Sequence, residues 1–547
     1  MNAKPGELVL LPGSTDASLS AIAPAHHLGS LISFGCNDPL CTHEIHVHTG
    51  AEIIITTAKT CPNVDCRRHG QPLGERKDYE GHLFTRRRGI LPIRISTKYC
   101  RGCNTTFRPN YSVEKAQAPD ASRKYFKGLP SVLEVTEHTY VETDLVVLFR
   151  AQMAFAHASA EVVARVYNLG LSSDITDDPS AHRLTGDIVW HSFQIYALLQ
   201  FSIRHSEILE VPHNCHQDRR FEAAMERRNS RMAGTGQALW AHACNECEHI
   251  ICPPDNDPNG RLRACVMDGV TVGHARCNIS QCKERLASPR DRFCPMHSHL
   301  GSQCAIEGCE QSSTQGFRTC ADASHREYEL ERRQQGQAIF RNPRIHHSEQ
   351  NKAANKKAPK IKSALTRRWT HNEQLMVTCC GIILSRATFH ESEGSRNALQ
   401  FVLETFPDHF PRARPSFLFY DNNCHLLQHI RASGVKGLEH VGMPVDVFHA
   451  STKHSDSDTF CAENCNPALF PELYNDLLQW IFNSSAAEQV NVWFGKFLAV
   501  VREMTEVHYH FFLDEMISIY NSYREEVLAK RGLSPRLIPV EELKLPL

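Results

Sequence analysis

The sequence has almost no net charge: 60 Lys and Arg stand against 61 Asp and Glu, a formal −1 at neutral pH. Whole-chain charge therefore gives no reason to expect a polyanionic partner, and any nucleic-acid contact has to come from local patches. The chain also lacks an apolar run approaching the roughly 18 residues that a bilayer helix needs, so no membrane span is expected. Its first residues, MNAKPGELVLLPG, have neither a basic start nor a sustained apolar core, and a secretion signal is not expected either. No repeat of solenoid type is found. The apolar share of 41% is ordinary for a soluble globular protein, and the length of 547 residues is too great for one core, suggesting three or four domains.

Cysteine and histidine are abundant, with 22 and 32 copies. The cysteines come in short-spaced pairs with histidines nearby. Without a secretion signal, that pattern favours metal sites over disulfides and a reducing compartment, cytosol or nucleus, over an oxidising one.

Texture changes along the chain define the expected organisation. Residues 1–130 are punctuated by cysteines, with strand-like runs at Ile53–Ile55 and Leu91–Ile95. Residues 131–255 become helical, with apolar residues at helical spacing in VETDLVVLFRAQMAFAHASAEVVARVYNLGL and again from Ile188 to Leu209. A strand-like segment, RACVMDGVTVG, opens the 261–340 region, which then carries a dense Cys/His block. Residues 341–368 hold nine Lys and Arg against a single acid, Glu349, and are expected to be an exposed basic linker. From 369 to 547, strands (MVTCCGIILSRATF, SFLFYD, PVDVF) alternate with helices (SRNALQFVLETF, then long helices from Pro471 onward), which indicates an α/β core.

The strongest local signal lies between Cys277 and His325. Cys277 and Cys282 have four residues between them, Cys294 and His297 two, Cys304 and Cys309 four, and Cys320 and His325 four. Eight ligands suffice for two tetrahedral zinc sites, and closed four-ligand sites leave no open position for chemistry. The consecutive grouping, 277/282/294/297 and 304/309/320/325, is expected rather than a cross-brace. A further zinc is expected from Cys61 and Cys66 with Cys100 and Cys103, the second pair lying in the turn-rich YCRGCNTTFRPNY. Cys36, Cys41, His43 and His46 are a weaker candidate set. Cys244 and Cys247, in HACNEC, form a pair without an evident second half. His449, His454, Cys461 and Cys465 have ligand-like spacing.

Three acids stand where metal-dependent phosphoryl transfer would need them. Asp268 sits inside an apolar strand-like run, Asp421 ends the strand SFLFYD, and Glu488 lies near a helix start in FNSSAAEQVNVWFG. Clustered carboxylates hold divalent ions that activate a water or 3′-hydroxyl and stabilise the leaving oxygen. Each acid also has a bland reading: a hairpin turn at Asp268-Gly269, a helix cap at Asp421, and a capping box from Ser485 to Glu488. Val490, Trp493, Phe494, Phe497 and Val501 read as the core face of the helix that carries Glu488.

From about residue 60 onward the chain resembles fungal Kyakuja–Dileera–Zisupton (KDZ) transposase-type proteins with their associated CxC-type cysteine-cluster domains. The resemblance is carried by YCRGCNTTFRPNY, RMAGTGQALWAHACNEC, VMDGVTVGHARC with the block ending FRTCADASH, RRWTHNEQL, CGIILSRATFHESEG, FYDNNCHL, VDVFHASTKHSDSDTFCAENCNP and FNSSAAEQVNVWFG. It implies a cut-and-paste DNA transposase with a ribonuclease-H-like mixed sheet, split after its first strand by the Cys/His insertion, which rejoins the sheet at about 377. It implies Asp268, Asp421 and Glu488 as the acidic triad, magnesium or manganese as the catalytic ion, self-association, and a nuclear location. DNA ends would be held through phosphate contacts. The candidates are Arg86, Arg87 and Arg88, expected beside the first zinc site, and Lys356, Lys357, Lys360, Lys362, Arg367 and Arg368 in the basic linker, which equally reads as a nuclear localisation signal. A helix-turn-helix around Ser159–Leu169 is less expected than plain packing helices. The runner-up function is a domesticated, zinc-dependent DNA-binding protein without catalysis. A RING-like interaction domain fits the long-spaced ligand pairs poorly.

Overall fold

Strands alone form the described chain as far as residue 142. In this computed structural model, residues 44–48, 51–171, 183–250, 260–341, 359–447 and 458–546 are described. They form a mixed α/β structure with a curled mixed sheet and several cysteine-rich clusters. Cys36, Cys41, His43, His449, His454, Lys356 and Lys357 lie outside the described residues, and of His46 only the backbone is described.

The first nine strands are β1 (Glu44–His48), β2 (Ala51–Ile55), β3 (Gly74–Phe84), β4 (Ile90–Cys100), β5 (Thr105–Phe107), β6 (Tyr111–Glu114), β7 (Ser122–Tyr125), β8 (Val132–Thr136) and β9 (Thr139–Glu142). With the later β10 (Glu210–Pro212) they make a ten-stranded sheet, ordered β10-β7-β6-β5-β4-β3-β9-β8. β4 is long enough to pair with β3 on one edge and with both β2 and β5 on the other. Its side chains alternate, Ile93, Ile95 and Thr97 buried against exposed Arg94, as a half-covered sheet requires.

Three helices follow: α1 (Thr143–Phe155), α2 (Ala160–Gly170) and α3 (Gly186–Arg204). Ser159 and Thr185 cap the second and third, each side chain accepting from a first-turn N–H at 3.3 Å. α2 buries Val163, Ala164 and Tyr167 against its neighbours, the arrangement of packing helices. α4 (Glu222–Met232) completes the region.

A second sheet contains β12 (Glu248–Ile250), β13 (Arg261–Val270), β16 (Asn372–Thr378), β17 (Ile383–Phe389) and β18 (Phe417–Tyr420). β13, β16 and β17 form an antiparallel meander, while β18 lies parallel to β13. Two short strands, β14 (Ala275–Arg276) and β15 (Arg368–Trp369), pair and close the neck of the Cys/His block inserted between β13 and β16. Residues 444–446, the first three of the expected strand PVDVF, make no full ladder. Residues 442–444 run parallel to β18, with Leu418 N donating to Gly442 O and Tyr420 N to Pro444 O, and Pro444 has no N–H to return.

Helices α5 (Ala323–Arg341), α6 (Ser395–Thr405), α7 (Asn423–Ser433), α8 (Thr459–Asn464), α9 (Ala486–Phe494) and α10 (Glu506–Lys530) accompany this half. The long helices expected from Pro471 begin only with α9. Pro467 and Pro471 start short 3-10 turns, and Asn475 Oδ1 accepts from the N–H groups of Leu477 and Gln479, a local turn that competes with helix. Val490, Phe494, Phe497 and Val501 are buried and Trp493 partly so, but α9 ends at Phe494, and Phe497 and Val501 belong to the short turns that follow it.

α10 joins the two halves. Its Glu515 is held between Arg150 of α1, at 3.0 Å, and Arg228 of α4, all three buried. Asp514 and Glu373 of β16 both engage the buried Arg386 of β17, at 2.7 and 2.9 Å. After α10, β19 (Arg536–Leu537) pairs with β11 (His242–Ala243). No helix among the described residues is long and apolar enough to cross a membrane.

The expected exposed linker is structured at both ends. α5 continues to Arg341, and residues 360–364 dock back on the Cys/His block through Glu307 N to Lys360 O, Lys362 N to Ala305 O and Ala364 N to Asn278 O, at 2.9, 2.9 and 3.0 Å. The bare run of charges hid Ile361, which bridges to Ile306.

Candidate active site and metal centres

Cys61 and Cys66 flank a tight loop closed by Cys61 N donating to Gln71 O, and Cys100 and Cys103 turn the corner from β4 to β5. The structure brings these four together, with Cys61 and Cys103 sulfurs 3.8 Å apart and Cys66 and Cys100 sulfurs 3.7 Å apart. A tetrahedron with zinc–sulfur bonds of about 2.3 Å has edges of about 3.8 Å, whereas a disulfide needs about 2.05 Å. Gly102 makes the approach possible: a Cβ there would sit 2.6 Å from the Cys66 sulfur. Burial pushes Cys61 up to about 12; the same burial acts on Cys100, but backbone N–H groups of Cys103 and Gly102 outweigh it and bring that thiol to about 6. Knuckle N–H groups thus already favour a thiolate.

In the Cys/His block the ligands gather in consecutive order. The Cys282 and Cys294 sulfurs are 3.8 Å apart, and His297 Nδ1 is 3.6, 3.5 and 3.2 Å from Cys277, Cys282 and Cys294. The second set repeats the arrangement: Cys309 and Cys320 are separated by 3.8 Å, with His325 Nδ1 3.6 Å from Cys304 and 3.3 Å from Cys320. The N–H of Asp322 brings Cys320 to about 7. In all three sets the candidate ligand atoms lie within 4.8 Å of one another. These Cys/His clusters fit structural zinc.

Cys461 and Cys465 also meet, with Cys424 of α7 as a third, unforeseen cysteine against Val445. Asp458 caps α8 by accepting from Cys461 N at 3.1 Å, and its carboxylate is within 4.8 Å of the Cys424 and Cys461 sulfurs. Spacing alone could not nominate Cys424, because it arrives from another helix.

The carboxylates collect at one edge of the second sheet. β13 and β18 run parallel with Met267 opposite Tyr420, so Asp268 and Asp421 occupy neighbouring strand positions at their C-terminal ends. Strands so paired lie about 4.8 Å apart. α9 packs on β13, and Asn491 Nδ2 donates to Asp268 Oδ2 at 2.8 Å; Glu488 stands one turn earlier on the same helix. Asp268 Oδ1 accepts from Gly269 N at 2.8 Å.

Two further acids belong to this edge and were missed. Glu393 accepts from Tyr420 OH at 2.9 Å and from Gln374 Nε2 at 3.3 Å, and its charge acts on Asp268. The buried Asp446 follows the extended segment beside β18 and accepts from Ser485 Oγ at 3.4 Å. Both lie in the sequence strings HESEG and VDVF, but their proximity is a product of strand order. Burial, Asp421 and Glu393 together lift Asp268 to about 6, against the lowering hydrogen bonds from Gly269 and Asn491. These carboxylates are hard-oxygen donors, but they do not form one of the described sets whose ligand atoms all lie within 4.8 Å of one another. Gly269 is needed: a Cβ there would lie 2.4 Å from Asn372 Nδ2 and 2.8 Å from Gln374 Oε1.

The basic candidates scatter. Arg86, Arg87 and Arg88 form the exposed turn between β3 and β4, while Cys100 ends β4 at the other end of the hairpin, roughly 30 Å along the strand. They are not beside the first zinc site, because an uninterrupted strand separates them. Arg86 N and the Arg88 guanidinium both engage Glu142. Lys362 points its amine at Gln303 Oε1 and Cys309 O, at 3.2 and 2.8 Å, and so braces the zinc block. Lys360 is exposed. Arg367 and Arg368 lie 3.6 and 3.8 Å from Glu503 and Glu391.

Residues 49–171 match the family described as a CxC5 like cysteine cluster associated with KDZ transposases. Residues 266–331 match a CxC6 like cysteine cluster associated with KDZ transposases. The two segments make up about a third of the chain. No curated protein and no solved structure matches. The first contains the 61/66/100/103 cluster and the second both clusters of the inserted block, so the chain carries cysteine clusters of two kinds associated with KDZ transposases, and their ligands fit structural zinc.

Proposed function

We propose that this protein is a DNA transposase that cleaves phosphodiester bonds at transposon ends and transfers the strand through a 3′-hydroxyl. The observation carrying this reading is the convergence on one sheet edge of Asp268 and Asp421, from parallel neighbours, with α9 and its Glu488 anchored there by the Asn491–Asp268 hydrogen bond. The strand order, an antiparallel meander β13-β16-β17 with β18 parallel to β13, supports a ribonuclease-H-like core interrupted by the zinc block. Asp268, Asp421 and Glu488 would hold magnesium or manganese, which supplies activation of the attacking hydroxyl and neutralisation of the leaving oxygen. Asn491 orients Asp268, and Glu393 keeps Tyr420 turned toward the same edge. The cysteine-cluster modules support DNA as the partner. Self-association and a nuclear location complete the reading.

The test is magnesium- or manganese-dependent nicking of DNA carrying the terminal repeats, comparing wild type with Asp421→Asn. Cleavage should be lost by at least 100-fold in the variant while DNA binding is retained. Equal cleavage by both would remove Asp421 from the mechanism. Absence of cleavage by the wild type, with binding intact, would favour a domesticated DNA-binding protein.

A further inference from the structure

Cys244 and Cys247 lie outside both matched cysteine clusters and, in the sequence, have no second half. The fold supplies one. Cys247 N donates to Cys244 O at 3.1 Å, forming a knuckle that points two sulfurs the same way, 3.6 Å apart. His242, in β11, stands at the head of this knuckle. Facing it is the hairpin turn between β16 and β17, closed by Gly381 N donating to Thr378 O at 2.8 Å with Gly381 at φ +90°. A positive φ of that kind suits glycine. The turn delivers Cys380, whose sulfur lies 3.3 Å from His242 Nε2, although the two residues are 138 positions apart.

We propose that His242, Cys244, Cys247 and Cys380 bind one structural zinc ion, a site additional to the four cysteine clusters described above. Their candidate ligand atoms lie within 4.8 Å of one another, and all four residues are buried. The sulfur separation is too long for a disulfide, which needs about 2.05 Å, and close to a zinc tetrahedron's edge of about 3.8 Å. Three thiols and an imidazole are a soft donor set that selects zinc over magnesium or calcium. Four protein ligands leave no open position, so the site is structural. Its surroundings support the ligands: Thr378 Oγ1 is 3.0 Å from the Cys380 sulfur, and Arg524 Nε donates to Cys380 O at 2.7 Å.

The position gives the site its role. Cys265 of β13 pairs with Thr378, so the turn lies toward the start of β13, whereas Asp268 lies toward its C-terminal end. His242 pairs with Leu537 of β19. One ion would therefore fasten the end of the helical region, the β16–β17 hairpin and the chain's last strand, away from the carboxylate edge.

The experiment uses the full chain with zinc counted by elemental mass spectrometry on folded protein. Cys380→Ser should contain one zinc fewer than wild type. Cys379→Ser alters the adjacent buried cysteine, which is outside the set, and should keep the wild-type count. Full zinc in Cys380→Ser, or the same loss in Cys379→Ser, overturns the site. Should Cys380→Ser fail to fold, cadmium-113 resonances of cadmium-loaded Cys380→His decide: one resonance should move from the three-thiolate to the two-thiolate range. An unmoved spectrum overturns the proposal. Neither readout depends on DNA cleavage, so this inference and the proposed function fail separately.

Discussion

Replacing Asp268 by asparagine should strengthen the fold in the absence of added divalent ions while abolishing cleavage. In the fold this carboxyl is lifted from 3.8 to about 6 by burial and by the charges of Asp421 and Glu393. Each unit corresponds to about 1.4 kcal/mol, so keeping Asp268 ionised at neutral pH costs roughly 3 kcal/mol. Asparagine removes that cost. Its oxygen can still accept from Gly269 N, but its amide would face the amide of Asn491, forfeiting about 1 kcal/mol. A net gain of about 1–2 kcal/mol at pH 7.5 is expected. A carboxyl raised in the fold binds its proton more tightly folded than unfolded, so wild-type stability falls as pH rises from about 4 to about 6. At pH 5 only about half the cost remains, and the variant's advantage should shrink to near zero. Urea unfolding at the two pH values, with structural zinc left in place, measures both quantities. Millimolar magnesium at pH 7.5 should then stabilise wild type and not the variant. A destabilised Asp268→Asn at pH 7.5, or an advantage equal at both pH values, would refute the claim that burial and the neighbouring carboxylates make ionised Asp268 costly in the fold.

Two other perturbations test the supports. Gly269→Ala drives a methyl into the amides of Asn372 and Gln374 and should cost about 1–3 kcal/mol, read as a lower Tm. Glu515→Gln leaves the guanidiniums of Arg150 and Arg228 buried without their counter-charge and should cost about 3–5 kcal/mol in urea unfolding. Although burial pushes the Glu515 carboxyl up, Arg228 and Arg150 outweigh it and hold it below the usual carboxylate range. The wild type should accordingly keep this contribution above about pH 4.5 and lose it as pH falls through the depressed value, and the variant should not.

Legibility followed the range of each interaction. The block from Cys277 to His325 could be grouped from spacing because each ligand pair sits in its own knuckle and the partner pair follows within the next turns of chain. β13, β18 and α6 announced themselves by apolar pattern. What escaped is what strand order creates. Cys380 completes a set begun at His242, Cys424 joins Cys461 and Cys465 from another helix, and Glu393 reaches Asp268 from a loop after β17. The ten-stranded first sheet exceeded the two strand-like runs visible in it, because short polar strands such as β5 and β7 carry little alternation. The charges of the basic run gave no sign that residues 360–364 dock on the Cys/His block through backbone hydrogen bonds, with the Ile361 side chain left exposed.

The place of the inserted block has a consequence for assembly. β13 and β16 are hydrogen-bonded neighbours, yet the chain leaves one at Val270 and enters the other at Asn372. Bringing such distant partners together is entropically expensive and slow. A block already closed on itself, with β14 and β15 clasped at its neck, shortens the free tether more than tenfold and lowers the closure cost by roughly 2 kcal/mol. Metal supply during synthesis would thereby set the tempo at which β13 and β16 pair, and scarcity of the ion would leave β13 waiting with an open edge.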